Sequence, residues 1–395
     1  MLDLTQVYQA LESHKDTLLQ QYQLTSQGLD DREALLAWLA GQDQMTLCER
    51  LQSIEHPGAL PTEERQAGLG LIRPFTPRWS NHPEAREWAR HVLAEVQTCA
   101  VDGSQITPSR DFSVPVGAVQ VGCFESDHCG AGTYRKTLHF EVLTNDELAQ
   151  DPKDTNGFPD QQVNLRRFEL ECQVLRDYMQ CAVGREPRPL CFFDGSFILS
   201  FAGLMRPDLR QDYIQAVTAT LAMSRECGVP IVGYVDSSYA RDLVNMLRWL
   251  TGQDLTPTIT DASLLEGSMN WGDRSELWQC ARADRLAASS DKGTPGYYHQ
   301  VHFLYLKTTA QNPPVRLEIP EWVLQAGLVD SVLDIVRAEC VVGAGYPYAV
   351  ETADALAVIT LEDRERFYRL FQDYLVELRI PLRYTRKAYS KRLRR

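Results

Sequence analysis

The feature that most constrains the fold of this chain is a change of hydrophobic period near residue 98. Three β-prone runs follow one another from that point, ending with the alternating YRKTLHFEVL at 134–143, and they predict an antiparallel meander. Two amphipathic helices, at 163–183 and 207–228, then alternate with the apolar runs PLCFFDG and VPIVGYVD, a pattern typical of parallel strands. The sequence therefore predicts an α/β fold: a mixed sheet, with an antiparallel meander followed by parallel strands, flanked by helices.

Outside this stretch the pattern is mostly helical. In residues 1–97 the apolar residues have helical spacing, which proline-rich segments interrupt. In SSYARDLVNMLRWLTG at 237–252, a serine is expected to cap the start of a helix. Two further strands are expected at 298–307 and 315–320, with helices near 320–339 and 362–378. We therefore expect three regions: a helical N-terminal region at 1–97, a mixed-sheet domain at 98–380 and a basic C-terminal tail at 381–395.

The charge of the chain argues against a protein that coats nucleic acid non-specifically. The net charge is −13, yet the tail PLRYTRKAYSKRLRR contains basic residues and no acid, with tyrosines interleaved. The tail fits either phosphate contact or a solvated chain end. No apolar stretch is long enough for a membrane span, and the acidic, amphipathic N-terminus does not resemble a signal peptide. We therefore expect a cytoplasmic protein with no membrane partner.

The cysteines and histidines do not form a motif typical of metal binding. The 10 cysteines include no C-x-x-C pair, which favours reduced thiols over disulfides or a zinc site. His299 and His302 lie three residues apart on a predicted strand and would point to opposite faces, so structural roles are favoured for both. Nucleotide-binding glycine loops and the G-x-S-x-G and H-E-x-x-H motifs are absent from the sequence.

An aspartate follows an apolar run at three places. CAVDGSQ at 99–105 and CFFDGSF at 191–197 repeat the same Asp-Gly-Ser, and IVGYVDSS at 231–238 is related to them. Each Asp-Gly alone is typical of a tight hairpin turn. The alternative is that Asp102, Asp194 and Asp236 lie at strand ends, where neighbouring strands of an open sheet bring side chains together.

The second alternative predicts a metal site. The helix before the second Asp-Gly-Ser carries Glu169 and Glu171, so further carboxylates are available. Converging carboxylates repel one another unless a cation binds between them, and Mg²⁺ or Mn²⁺ prefers such oxygen ligands. Two such ions can bind the attacking water and the leaving oxygen of a phosphodiester. Ser104 and Ser196 could then hold a metal-bound water or a phosphate oxygen, which favours metal-dependent phosphoryl transfer.

Several of these segments together resemble the NurA family of DNA-end-processing nucleases. They are AVDGSQITPSRDFSVPVGAVQVG, RRFELE, CFFDGSFI, HFLYLKT with PVRLEIPEWV, and GAGYPYAVETADALAVI, and they extend from about residue 95 to 378. The resemblance is strongest to the bacterial branch seen in cyanobacteria. It implies an RNase H-like core and a manganese-dependent nuclease with 5′-to-3′ exonuclease and single-strand endonuclease activities. It also implies a homodimer that works beside the hexameric ATPase and translocase HerA in double-strand break end resection.

The resemblance also assigns roles to residues. It implies that Asp102 and Asp194 are the acids of the two Asp-Gly-Ser motifs and that a glutamate comes from the preceding helix, Glu171 first and Glu169 as the alternative. Asp354 stands where many archaeal members carry a histidine. Asp236 is either an additional ligand or part of the start of the next helix. Three further residues are expected to support the site and the dimer interface: Tyr305, Arg316 and Glu318.

The resulting hypothesis is a DNA nuclease in which Asp102, Glu171, Asp194 and Asp354 hold two Mn²⁺ or Mg²⁺ ions. Basic residues that could contact DNA, or could equally be solvated surface charges, are Arg110, Arg135, Lys136, Arg166, Arg167, Arg386 and Lys387. The alternative hypothesis is a non-catalytic adaptor or structural subunit of a DNA translocase complex. A third is a nuclease acting on RNA, because discrimination of the 2′-hydroxyl depends on pocket detail that the sequence does not contain.

Overall fold

The computed structural model describes residues 2–20, 22, 32–66, 68–109, 114–129, 132–148, 159–253, 257–283 and 297–381. Within these residues, no helix is both long and apolar enough to cross a membrane. All of the cysteines are free thiols, as the sequence predicted. The chain divides into two compact units, a first unit of residues 1–79 and 234–321 and a second unit of residues 80–233 and 322–395.

The described chain begins and ends with helices, and strands and further helices alternate between them. The helices are α1 Leu4–Ser13, α2 Arg32–Ala40, α3 Gln44–Leu51, α4 His82–Leu93, α5 Asn145–Leu148, α6 Pro159–Cys181, α7 Pro207–Cys227, α8 Asp242–Thr251, α9 Asp261–Leu265, α10 Glu321–Gln325, α11 Val329–Val342, α12 Tyr348–Ala357 and α13 Leu361–Glu377. The strands are β1 Gly58–Pro61, β2 Ile72–Arg73, β3 Thr98–Ile106, β4 Gly117–Ser126, β5 Tyr134–Leu143, β6 Leu190–Asp194, β7 Ile231–Val235, β8 Arg274–Ser275, β9 Trp278–Ala281, β10 Val301–Leu306 and β11 Val315–Pro320.

The second unit contains the predicted mixed sheet. In this unit the strands lie in the order β6, β3, β4, β5, and β7, of which residues 231–233 belong to the unit, lies beside β6. Strands β3, β4 and β5 pair antiparallel in sequence order, and β6 then pairs parallel with β3, with Thr98 opposite Leu190. The expected antiparallel meander followed by a parallel strand is therefore confirmed.

Helices cover this sheet because their apolar residues face it. Helix α6 packs against β3 and β4, α7 packs on α6, and α12 packs on β3 and β4. Phe168 of α6 links these layers, since its ring lies 5.9 Å from that of Phe193 in β6 and 4.9 Å from that of Tyr213 in α7. Helix α7 ends at Gly228, whose φ of 64° is the left-handed conformation that glycine adopts without strain. The packing places α6 and α12 beside the centre of β3.

The first unit is built around buried antiparallel strands. Strand β10 pairs with β11 and with β9, and β9 pairs with β1; the two-residue strand β8 pairs with both β2 and β10. Every residue of β10 and β11 is buried. The N-terminal helices predicted from the sequence are present, but β1 and β2 were not predicted.

Two details of the helix prediction were wrong. Helix α8 begins at Asp242 rather than after a capping serine, because the Asp261 carboxylate accepts the backbone N–H groups of Asp242 at 2.8 Å and Val244 at 3.0 Å. The helix expected near 320–339 is divided into α10 and α11, since Gly327 lies between them with a φ of 67°. In both cases a contact or a backbone conformation outside the helix pattern decides where the helix begins or ends.

Candidate active site

Asp102 lies in the middle of a strand, not at its tip. Strand β3 continues four residues beyond Asp102 to Ile106, because β4 pairs with it along its whole length. The hairpin-turn alternative therefore does not apply to the first Asp-Gly-Ser, and the expectation that Asp102 ends a strand is wrong. Ser104 lies further along the same strand and is half-buried.

Asp194 ends its strand as expected. The parallel register sets Val101 opposite Phe193, so Asp102 and Asp194 follow in equivalent positions of neighbouring strands. The chain then turns through Gly195 at a φ of 132°, a conformation that residues with a side chain rarely adopt. Ser196 stabilises this turn, since its hydroxyl accepts the N–H of Ile198 at 3.0 Å.

Glu171 reaches the cluster because the residue after Asp102 has no side chain. A Cβ atom on Gly103 would lie in hard contact with Glu171 Oε1 and 2.8 Å from Arg167 Cγ. The glycine therefore lets α6 approach the backbone of β3 closely. Glu171 is buried there, with 9% of its surface exposed. The glycine of the first motif, Gly103, thus allows close helix packing, whereas the glycine of the second, Gly195, allows a backbone turn.

Asp354 lies near Asp102 because its helix, α12, packs on the residue opposite Asp102 in the neighbouring strand. Helix α12 packs on β4 at Gly122, which lies opposite Asp102 in the β3–β4 ladder. Burial is the largest cause that raises the pKa of Asp102, and a side-chain hydrogen bond with Asp354 adds to the rise. Asp354 therefore lies beside the first Asp-Gly-Ser acid.

Electrostatics link all four carboxyl groups. Burial raises the pKa of Asp102 to about 6; a backbone hydrogen bond from Gly103 opposes this shift, and Asp194 and Asp354 add to it. Burial likewise raises the pKa of Glu171 to about 7; the Arg167 charge opposes the shift, and Asp102 and Asp194 add to it. Carboxylates that raise the pKa of neighbouring carboxyl groups show a surplus of negative charge at that place. The site is therefore suited to a cation.

Glu169 and Glu171 lie on different sides of α6. Glu169 accepts a hydrogen bond from Arg166 at 3.3 Å, and Arg166 also binds both carboxylate oxygens of Glu141 in β5, at 2.7 and 2.8 Å. Burial raises the pKa of Glu171, and the charges of Asp102 and Asp194 add to the rise. The geometry thus places Glu171 with the cluster and Glu169 with an arginine.

Tyr346 is a site residue that the sequence reasoning missed. Its hydroxyl donates to Asp194 Oδ1 at 3.1 Å. It precedes α12 in the segment GAGYPY, which carries part of the family resemblance. The sequence did contain a signal for this residue. Tyr346 lies two residues before the helix that carries the candidate ligand Asp354, so its hydroxyl could be expected near the site.

Glu339 fixes the start of α12. This fully buried carboxylate accepts the backbone N–H of Ala349 at 3.0 Å and the hydroxyl of Thr98 at 2.8 Å, and its Oε1 lies 3.1 Å from His128 Nε2. The contacts tie the beginning of β3 to the first turn of α12. Glu339 therefore supports Asp354 from a distance without belonging to the cluster.

Tyr305, Arg316 and Glu318 lie in the first unit and form a buried network there. Arg316 donates to Glu318 Oε1 at 2.8 Å, to Asp242 Oδ2 at 2.8 Å and to the Tyr305 hydroxyl at 3.3 Å. The Tyr305 hydroxyl in turn donates to Asp261 at 3.0 Å. All three predicted residues are buried, with 2% or less of their surface exposed.

The remaining candidates are dispersed. Asp236 is exposed in the first unit, where it accepts a hydrogen bond from the hydroxyl of its neighbour Ser237 at 3.4 Å. Arg135 pairs with Glu125 across the β4–β5 ladder at 2.7 Å, and Lys136 lies over the ring of Tyr134. Three predicted DNA contacts fall outside the described residues: Arg110, Arg386 and Lys387.

The donor set fits a hard divalent cation in kind. Four carboxyl groups offer only oxygen ligands, as Mg²⁺ and Mn²⁺ prefer. In the described part of the chain, no group of three or more His, Cys, Asp or Glu side chains already has the geometry of a metal site. Arg167 Nη1 lies 2.8 Å from Glu171 Oε1, so that oxygen is engaged by a guanidinium. The residues suit the ion, and their side chains would have to close around it.

Comparison with known proteins identifies the family. The family model for the NurA domain matches residues 96–359. Among solved structures, the chain is similar to a crystal structure of NurA with manganese, at 12% identity over 71% of this chain and 89% of that chain, with a TM-score of 0.40. A crystal structure of NurA bound to dAMP and manganese matches at 11% identity over 67% of this chain and 85% of that chain, also with a TM-score of 0.40.

A nuclease of another name is also similar to this chain. Endonuclease V from Bacillus subtilis matches at 12% identity over 70% of this chain and 83% of that chain, with a TM-score of 0.32. No curated protein matches the chain. The NurA model covers more than half of the sequence and includes the four clustered carboxyl groups. This chain therefore belongs to the NurA domain family.

Proposed function

We propose that this protein is a metal-dependent DNA nuclease that hydrolyses phosphodiester bonds at the carboxylate cluster, defined as Asp102, Glu171, Asp194 and Asp354. The observation that carries the proposal is the convergence of these carboxyl groups from four separate elements, β3, α6, β6 and α12, where burial and neighbouring charges raise the pKa of Asp102 and of Glu171. Membership of the NurA family supports it, as does the binding of dAMP and manganese by a NurA crystal structure.

The cluster would hold Mn²⁺ or Mg²⁺, and we propose two ions. When bound, such a pair activates water as the nucleophile and stabilises the leaving oxygen of an in-line displacement. The protein's own contribution is to fix the ligands. Tyr346 orients Asp194 through its hydroxyl, and Gly103 and Gly122 let α6 and α12 approach close enough for Glu171 and Asp354 to contribute oxygens.

The finer assignments follow from the family resemblance. We propose 5′-to-3′ exonuclease and single-strand endonuclease activity, in double-strand break end resection, by a cytoplasmic homodimer that works with a HerA-like hexameric ATPase. Asp236, which is exposed, remains a proposed additional ligand, and Mn²⁺ binding by Asp236→Asn tests it.

The test is cleavage of labelled linear single- and double-stranded DNA, and of matched RNA, by the full chain with Mn²⁺, Mg²⁺ or EDTA. We expect metal-dependent cleavage of DNA that falls at least about a hundredfold in Asp102→Asn and Asp194→Asn, since each substitution removes a charged ligand. Glu169→Gln is the matched control, because Glu169 is a carboxylate two residues from Glu171 whose hydrogen-bond partner is Arg166.

Three results would redirect the proposal. Cleavage that survives both aspartate substitutions would place the active site elsewhere. Preferential cleavage of RNA would favour the RNA nuclease. A folded wild type that cleaves nothing with any metal, even with a HerA-like translocase added, would favour the non-catalytic adaptor.

A further inference from the structure

We propose that Arg167 competes with the divalent cation for Glu171, and that cation binding releases its guanidinium to contact a substrate phosphate. The proposal rests on the nuclease function above and deepens it. Without a bound cation, Arg167 acts through Glu171 and is a positioning residue. Once the cation has bound, the released guanidinium contacts the DNA backbone.

The guanidinium of Arg167 is hydrogen-bonded to Glu171, which is one of the proposed metal ligands. One nitrogen, Nη1, donates both to Glu171 Oε1 at 2.8 Å and to the carbonyl oxygen of Gly103 at 3.0 Å. The arginine stem lies against β3 where Gly103 has no side chain, since a Cβ there would come 2.8 Å from Arg167 Cγ. Arg167 thus bridges α6 and β3 next to Asp102, the residue on which the cluster is centred.

These contacts use only part of the hydrogen-bonding capacity of Arg167. Its side chain is 29% exposed, compared with 12% for that of Glu171. Its Nε is buried and, among the described residues, has no hydrogen-bond partner. A guanidinium normally offers five N–H donors in a fork that matches a carboxylate or phosphate. Here one donor atom carries the described contacts, so the group has capacity for a second anion.

Competition follows from charge and from shared oxygen. An oxygen that accepts a hydrogen bond from Nη1 offers that lone pair less readily to a metal ion. A guanidinium and a divalent cation beside one carboxylate also repel each other. Removal of Arg167 should therefore tighten metal binding, although it should weaken the binding of DNA.

The neighbouring arginine provides the matched control. Arg166 precedes Arg167 on α6, but its described partners are Glu141 and Glu169, neither of which belongs to the carboxylate cluster. Removing its charge changes the net charge of the protein by the same amount as removing that of Arg167. A general effect of charge would move both variants equally, whereas competition for Glu171 would move one.

The first measurement is Mn²⁺ binding to the full chain without DNA, followed by the electron paramagnetic resonance signal of free Mn²⁺. Wild type is compared with Arg167→Gln, Arg167→Lys and Arg166→Gln, each checked for folding by circular dichroism. We expect Arg167→Gln to bind Mn²⁺ about tenfold more tightly, Arg167→Lys to lie between it and wild type, and Arg166→Gln to match wild type.

The second measurement is the kinetics of DNA cleavage at saturating Mn²⁺. We expect the KM for DNA to rise about tenfold in Arg167→Gln with a smaller change in kcat, and the charge of Arg167→Lys to restore part of the KM. Unchanged or weaker Mn²⁺ binding in Arg167→Gln, with normal binding by wild type, overturns the competition while the nuclease proposal stands. A wild type that binds no Mn²⁺ overturns this inference, and DNA cleavage with Mn²⁺, Mg²⁺ or EDTA then decides the nuclease proposal separately. If Arg167→Gln does not fold, Arg167→Lys decides the question in the same way.

Discussion

Asp102 lies directly opposite Gly122 in the β3–β4 ladder, and this pairing sets how close α12 comes to the carboxylate cluster. A Cβ atom on Gly122 would lie 3.0 Å from both Ala353 O and Ala357 N, so the helix backbone rests on the bare strand. Asp354 follows Ala353 in that helix. The distance between a strand and a helix thus decides whether two carboxyl groups meet.

Gly122→Ala should separate those groups. The added methyl must push α12 away from β4, which we expect to lower the free energy of unfolding by about 1–3 kcal/mol and cleavage by at least about tenfold. Urea unfolding and the DNA cleavage assay measure the two effects. Gly70→Ala is the control, because a Cβ there meets nothing nearer than 4.0 Å. Full cleavage activity in a stable Gly122→Ala protein would contradict the role of this packing.

The sequence predicted those parts of the site that local pattern controls. Asp194 follows a short apolar run and ends β6 because nothing prolongs that strand, and the periodicity that predicted a helix at 163–183 corresponds to α6. Asp102 follows a similar run but lies mid-strand, because pairing with β4 carries β3 onward. A strand's end depends on its neighbour, which local pattern does not contain.

Side-chain partners were the least predictable part. Glu169 and Glu171 differ in role because two residues correspond to about 200° around a helix, and sequence alone does not say which side faces β3. Tyr346 and Glu339 act through contacts with Asp194 and α12 that are distant in sequence. Strands as short as β1 and β8 have no periodicity to detect, since their pairing with buried strands defines them.

Proton binding by the cluster should make stability fall as pH rises. Burial and neighbouring charges raise the pKa of Asp102 from 3.8 to about 6 and that of Glu171 from 4.5 to about 7. Between the ordinary and raised values the folded state binds more protons than the unfolded state, so this contribution is fully present below about pH 4 and is lost by about pH 7. Each pKa unit corresponds to at most about 1.4 kcal/mol.

Urea unfolding at pH 5 and pH 8 in EDTA measures this slope. Other groups also titrate, so the informative quantity is the difference between wild type and an Asp102→Asn, Glu171→Gln double variant, whose slope should be shallower. Mn²⁺ at pH 8 should restore stability to wild type and not to the double variant. Equal slopes for the two proteins would show that the cluster does not hold these protons.

Glu339 should be essential for stability through the start of α12. Glu339→Ala would leave the Ala349 N–H, the Thr98 hydroxyl and His128 without this partner in a buried site, and we expect a loss of about 3–5 kcal/mol. Glu339→Gln keeps the shape and should lose less. Denaturant unfolding compares the two variants, and a loss below about 1 kcal/mol in Glu339→Ala would contradict the bridging role.

His128 gives this bridge a pH dependence of its own. Burial opposes the charged imidazole, but the hydrogen bond and charge of Glu339 outweigh it, so the pKa of His128 is raised above its usual 6.5. A raised histidine pKa stabilises the fold fully below the ordinary value, and the contribution is lost as pH rises through the folded value. The stability difference between wild type and His128→Asn should therefore be larger at pH 6 than at pH 9. A difference that grows with pH would mean that the neutral ring makes the stabilising contact.

The buried network of the first unit should affect stability and leave metal binding unchanged. Arg316→Met would remove the cation that binds Asp242 and Glu318, both of which are almost fully buried, and we expect a loss of about 3–5 kcal/mol because the carboxylates lose a buried charged partner. Tyr305→Phe removes only the hydroxyl that donates to Asp261 and should cost about 1 kcal/mol. Urea unfolding of the two variants, together with Mn²⁺ titration under native conditions, measures both properties. Weakened Mn²⁺ binding in a variant whose stability is unchanged would instead give Arg316 a part in supporting the site, as the family resemblance implies.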